Sequence, residues 1–162
     1  MKKTTKWLPA LLGAGALLLQ AAAQADTPKG ADKRLVERGR YLVQISGCND
    51  CHTPGYLPAA GKVDEKLWLT GDGFGWSGPW GTTYGTNLRL FVANLTEAQW
   101  LKHVDTMRSR PPMPWFNLQA MTVNDRKALY AYLKALGPAG QPAPAALPPG
   151  KPPPQPYALF PG

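Results

Sequence analysis

Apolar positions recur along this 162-residue chain at helical spacing in three stretches, with aperiodic segments between them. In DKRLVERGRYLVQIS, residues 32 to 46, Leu35, Val36, Leu42, Val43 and Ile45 fall at helical intervals among basic residues, and Asp32 reads as the N-cap. The second stretch, TEAQWLKHVDTMR, opens on Thr96 with Gln99 three positions later, a capping box, and puts Trp100, Val104 and Met107 on one face. The third, TVNDRKALYAYLKAL from Thr122 to Leu136, carries Ala128, Leu129, Tyr132, Leu133 and Leu136 on its apolar side and is stopped by Gly137 and Pro138. Gly39 sits inside the first helix at a cost of about 1 kcal/mol against alanine, which predicts that another backbone crosses there.

The intervening segments differ in composition. Residues 55 to 85 hold eight glycines and three tryptophans, Trp68, Trp76 and Trp80, with neither helical nor strand periodicity. A long aperiodic stretch inside a compact domain is expected to wrap something, and its aromatic content says that it packs. In SRPPMPWFNLQAM the prolines at 111, 112 and 114 predict an extended, stiff path without helix. Residues 138 to 162 contain ten prolines in 25 positions and read as a polyproline-type tail lying along the surface or in solvent, with Tyr157, Leu159 and Phe160 as its means of docking. There is no internal repeat.

The N-terminus, MKKTTKWLPALLGAGALLLQAAAQA, has a basic start, an apolar run from Leu8 to Leu19 and a small-residue end, the pattern of a secretory signal peptide cut after Ala25. The run is short for a membrane span and is interrupted by Gly13 and Gly15. The expected organisation is a leader at 1–25, one domain at 26–137 and the tail at 138–162, in a protein exported to a bacterial periplasm. Without the leader, 15 basic and 10 acidic residues remain, a net charge of +5. The cations form no block, which gives no nucleic-acid signature and leaves a basic surface that steers toward acidic partners or anionic head groups.

The only two cysteines fall in SGCNDCHTPGY, spaced Cys-x-x-Cys with His52 directly after. A disulfide between Cys48 and Cys51 would close too small a loop to stabilise much. A thioredoxin-like dithiol wants a βαβ context that is absent around residues 40 to 60. A zinc site would have to recruit His103 at an unusual spacing. A Cys nucleophile with His52 as base needs two adjacent side chains to face each other. The remaining reading is the c-type haem attachment signature: two thioether anchors at Cys48 and Cys51, and His52 as proximal ligand to one haem. The sixth iron position then separates electron transfer from ligand chemistry. Met113, presented by the stiff PPMPW segment, is the preferred ligand, with Met121, His103 or an open site as the alternatives; Met107 reads as core beside Trp100 and Val104, Met121 equally as a packing residue, and His103 as lying on a solvated helix side.

An N-terminal helix entering GCNDCH, a variable loop, a proline-flanked methionine and the closing helix DRKALYAYLKAL resemble the class I cytochromes c. The runs RGRYLVQISGCNDCHTPGY and MPWFNLQAMTVNDRKALYAYLKALGP are similar to the monohaem domains in cytochrome c subunits of periplasmic alcohol and aldehyde dehydrogenases. The resemblance covers about residues 33 to 137. It implies an all-α fold in which the N- and C-terminal helices cross over the haem, with Gly39 facing the region of Tyr130 and Leu133, and it maps the axial methionine onto Met113. The ring N–H of His52 would be accepted by the carbonyl of Pro58, of Pro54 or of neither. Propionate donors are not assignable by likeness; Trp76, Trp80 and Tyr84 are candidates. The expected function is single-electron transfer, not catalysis, from a periplasmic dehydrogenase to an oxidase or another cytochrome, by a monomer. The alternatives are a dedicated dehydrogenase subunit docked by its tail and a haem-based gas binder or peroxidase. Lys62, Lys66 and Arg110 are the expected steering cations.

Overall fold

The structure is a computed structural model that describes residues 33–161. The leader peptide and the Asp32 cap lie outside the described residues. The elements run α1 (Lys33–Ile45), α2 (Cys48–His52), a 3₁₀ turn (Glu65–Leu67), β1 (Gly75–Gly78), β2 (Gly81–Tyr84), α3 (Leu88–Val92), α4 (Glu97–Thr106), α5 (Trp115–Ala120), α6 (Val123–Leu136) and β3 (Tyr157–Leu159).

The three periodic stretches form the three longest helices. α1 buries Gly39, Leu42 and Val43, and α6 buries Ala128, Leu129, Ala131, Tyr132 and Leu133. Together with Leu69, Val92, Trp100 and Val104 they make one core. Gly39 is the contact point, as its position predicts, and the α6 atoms nearest to it belong to Ala128 and Tyr132, within the expected stretch of that helix. A Cβ there would lie 2.0 Å from the Ala128 carbonyl oxygen. Residues 128 and 132 are one turn apart on one face of α6, whereas Tyr130 points elsewhere and its hydroxyl donates to Leu95 O at 2.6 Å. At the edge of the crossing Arg38 pairs with Asp125 at 2.9 Å. Thr96 and Gln99 form the expected capping box on α4, and Thr122 accepts from the Asp125 N–H to cap α6.

The all-α expectation is corrected by a three-stranded sheet of order β2-β1-β3. GWSG and GTTY pair antiparallel around Pro79 and Trp80, with Gly78 opposite Gly81. Strands of four residues, half of one of them glycine, carry too little alternation to be recognised. Gly78 is required because Trp80 folds back over it: an added Cβ would meet the Trp80 ring at 2.6 Å. The proline segment also departs from expectation. Pro114 begins α5, a place where a missing N–H costs nothing. Gln119 of α5 donates to the carbonyls of Val104, Asp105 and Met107, satisfying the end of α4.

The proline-rich segment lies folded back on the domain. Asn87 Nδ2 donates to Ala139 O and Gln141 O, Leu147 pairs with Thr82, and β3 runs parallel to β1 with Gly75 opposite Tyr157. Phe160 packs on Trp76 and Trp80, with centroids 6.1 and 5.5 Å away. At the start of this segment the buried Arg89 donates to Leu136 O and Gly137 O, a cation placed at the negative end of α6.

The crossing sets a test of the fold. Gly39→Ala is expected to destabilise the folded protein by about 1–3 kcal/mol or more, since the clash is with backbone. Gly73→Ala, where nothing lies within 4 Å, serves as the comparison in denaturant unfolding.

Candidate functional site

α2 is a single short helix that begins at Gly47, whose left-handed φ of 67° lets the chain turn sharply out of α1. On five helical residues, positions i, i+3 and i+4 share a face. Cys48, Cys51 and His52 occupy those positions, and all three line one cleft of about 490 Å³. That volume is inside the range of roughly 300–1,000 Å³ common for cofactor and small-molecule sites.

His52 is buried, and its Nδ1 lies 2.7 Å from Thr86 O. A carbonyl only accepts, so Nδ1 carries the hydrogen and donates it. Nε2 is left with its lone pair and no partner among the described residues. Burial lowers the ring's pKa and keeps the imidazole neutral. Two further contacts fix this segment: Gly71 N donates to His52 O at 2.8 Å, and Gly85 presses on Cys51, where an added Cβ would stand 1.7 Å from the carbonyl oxygen. Behind them the fully buried Thr53 hydroxyl donates to Asn49 Oδ1 at 2.7 Å and accepts from Leu69 N at 2.8 Å.

Both cysteines are free thiols. Burial, with Asp50 adding a smaller push, raises each to about 11, so they are protonated at neutral pH. A redox-active dithiol shows the opposite, a depressed thiol pKa. Among the described residues no three His, Cys, Asp or Glu side chains gather as a metal cluster.

The walls of the cleft are mostly apolar: Val43, Leu69, Trp100, Leu129 and Leu133 from the core side, Trp76, Thr83 and Tyr84 from the hairpin. Met113 lines it, and so do Met107, Met121 and His103. The expectations of pure core packing for Met107 and of a solvated His103 are therefore corrected; His103 stacks on Phe91 with centroids 4.8 Å apart. Of the three propionate candidates, Trp76 and Tyr84 line the cleft and Trp80 does not, its indole N–H being given to Trp76 O at 3.3 Å. Trp76 Nε1 is buried without an acceptor among the described residues. Of the expected steering cations only Arg110 borders the cleft.

The residues fit a covalently held haem. Two neutral thiols and a neutral imidazole with a free Nε2 share one face of a helix, and that face opens on an apolar cleft. Sequence reasoning missed Thr86, Gly85 and Thr53. The acceptor for His52 is neither Pro54 nor Pro58, and a backbone carbonyl leaves no mark on residue identity.

Comparisons with known proteins point the same way. No family model matches the chain, and no solved structure matches it. It is 32% identical over 139 residues to the cytochrome c subunit of the alcohol dehydrogenase (quinone) of Gluconacetobacter polyoxogenes, covering 77% of this chain and 27% of that protein. It is 30% identical over 125 residues to the fructose dehydrogenase cytochrome subunit of Gluconobacter japonicus, covering 71% and 24%. The chain thus spans about a quarter of the length of the curated relatives it matches.

Thr53→Val keeps the shape of the side chain and strands the Leu69 N–H and the Asn49 carbonyl in the core. Unfolding measurements are expected to show a loss of about 1–3 kcal/mol per stranded group, with Thr53→Ser close to the native protein.

Proposed function

The chain is a cytochrome c related to the cytochrome subunits of those alcohol and fructose dehydrogenases, and from that premise we propose that it is the electron-accepting cytochrome of a periplasmic dehydrogenase. The observation that carries this reading is the placement of Cys48, Cys51 and His52 on one helical face of an apolar cleft. Cys48 and Cys51 would hold haem c covalently, His52 would ligate its iron through Nε2, and Met113 would supply the second protein ligand. The haem, when bound, supplies a one-electron couple.

The residues around it set how that couple behaves. Thr86 O holds the Nδ1 hydrogen, which fixes the ring plane and makes Nε2 a better donor. Val43, Leu69, Leu129 and Leu133 keep water from the cleft, and a dry site disfavours the more highly charged oxidised state. Methionine sulphur together with a histidine nitrogen would raise the potential further, as suits acceptance from a dehydrogenase. Arg110 at the cleft, and Arg108 stacked 4.4 Å over the Trp115 ring, present positive charge beside Met113 for an acidic partner surface. No helix among the described residues is long and apolar enough to cross a membrane.

Gel filtration of the exported holo-protein separates the two forms of this reading. Co-elution with dehydrogenase activity supports a subunit; a lone monomer reduced by that activity in solution supports a free carrier passing electrons to an oxidase. For the ligand set, Met113→Ala is expected to abolish the weak ferric band of sulphur ligation, lower the reduction potential and allow carbon monoxide to bind the ferrous form. An unchanged spectrum and potential would overturn the Met113 assignment, and carbon monoxide uptake by the native ferrous protein would favour a gas binder.

A further inference from the structure

Electron transfer leaves the proline-rich segment without a role, yet its contacts lead step by step to Met113. Asn87 fixes the start of this strap by binding Ala139 O and Gln141 O. Farther on, Leu147 exchanges two backbone hydrogen bonds with Thr82 of β2, Thr82 N to Leu147 O at 3.0 Å and Leu147 N to Thr82 O at 2.9 Å. The next β2 residue, Thr83, donates its hydroxyl at 2.8 Å to the carbonyl of Pro111, two residues before Met113. Arg110 reaches Leu147 O and Trp80 O through longer contacts of 3.5 and 3.4 Å. Strand β2 is thus held between the strap on one side and the methionine loop on the other.

The far end of the strap holds the hairpin from β1. Gly75 N donates to Pro156 O at 3.0 Å and Phe160 N to Ser77 O at 2.8 Å, while the Phe160 ring packs on Trp76 and Trp80. Pro144 and Ala146 of the strap line the same cleft as Met113. The methionine loop has little means of holding itself, because Pro111, Pro112 and Pro114 have no N–H to donate. Beyond the bond from Trp115 N to Met113 O at 2.9 Å, its restraint comes from the hairpin, through the Thr83 hydroxyl and the longer Arg110 contact to Trp80 O.

We propose that the strap is a positioning element for the sixth iron ligand: docked on the hairpin, it acts through Thr82 and Thr83 to keep Met113 seated in the cleft. The inference rests on the Met113 ligation proposed above. A competing ligand binds only when the methionine is displaced, so its apparent affinity scales with the fraction of time the loop is open. Loosening any link of the relay raises that fraction.

Imidazole titration of the ferric holo-protein, followed in the visible spectrum, reads this directly. Thr83→Val and Leu147→Pro are each expected to raise the apparent imidazole affinity about three- to tenfold, the effect of one lost hydrogen bond, and Phe160→Ala to shift it in the same direction. Thr83→Ser should behave as native. The Thr83→Val/Leu147→Pro double variant should gain no more than the stronger single one, since both act through one relay. Lower melting temperatures with unchanged imidazole affinity would overturn the proposal, as would effects that multiply. A native ferric spectrum without the sulphur band would instead remove the Met113 ligation itself, and the inference with it.

Discussion

The hydrogen bond from His52 Nδ1 to Thr86 O is the interaction around which the molecule is arranged. It selects the tautomer, turns the ring, and joins two segments that otherwise share no secondary structure: the end of α2 and the loop after β2. Gly85 makes the bond reachable by letting that loop lie against the Cys51 carbonyl without a side chain between them. Gly71 repeats the device on the other side, where its N–H takes the His52 carbonyl and its left-handed φ of 84° brings it against Asn87. Once the histidine is fixed this way, the floor of the cleft is set, and close backbone approach explains the glycines at 71, 81 and 85.

The helices serve that floor from behind. α1 and α6 lock at Gly39, and the same α6 face that receives α1 carries Tyr132, whose hydroxyl donates to Glu65 at 2.7 Å while Arg40 of α1 pairs with that carboxylate at 2.9 Å. Burial together with the bond to Glu65 pushes the Tyr132 hydroxyl far above its ordinary pKa, so it stays a donor at any physiological pH. The turn at Glu65–Leu67 is thereby tied to both long helices, and from it the chain proceeds to the buried Leu69, which meets Thr53 behind the haem motif.

What the sequence made legible follows from how each feature is written in residue types. Amphipathic periodicity, the Thr96 and Thr122 caps and the Gly39 contact are side-chain statements, and they placed the three long helices. The Cys48, Cys51 and His52 spacing placed the cleft for the same reason. The hairpin was illegible because GWSG and GTTY are too short and too rich in glycine to alternate. α5 was obscured by treating Pro114 as a breaker where it is an initiator. The strap was legible in part: of the surface and solvent paths that its polyproline composition allows it takes the surface one, and Tyr157, Leu159 and Phe160 do dock it. Its docking depends on backbone pairing at Leu147 and β3, which composition does not record.

The parallel pairing of β3 with β1 also dictates an order of assembly. Gly75 finds its partner Tyr157 only 82 positions later, and a contact of that span forms after the local helices because its loop must first be closed. In a chain made N-terminus first, the thiols of Cys48 and Cys51 emerge long before the strap that completes the cleft around them. The wall of the cleft that Pro144 and Ala146 contribute is therefore the last part of it to be made.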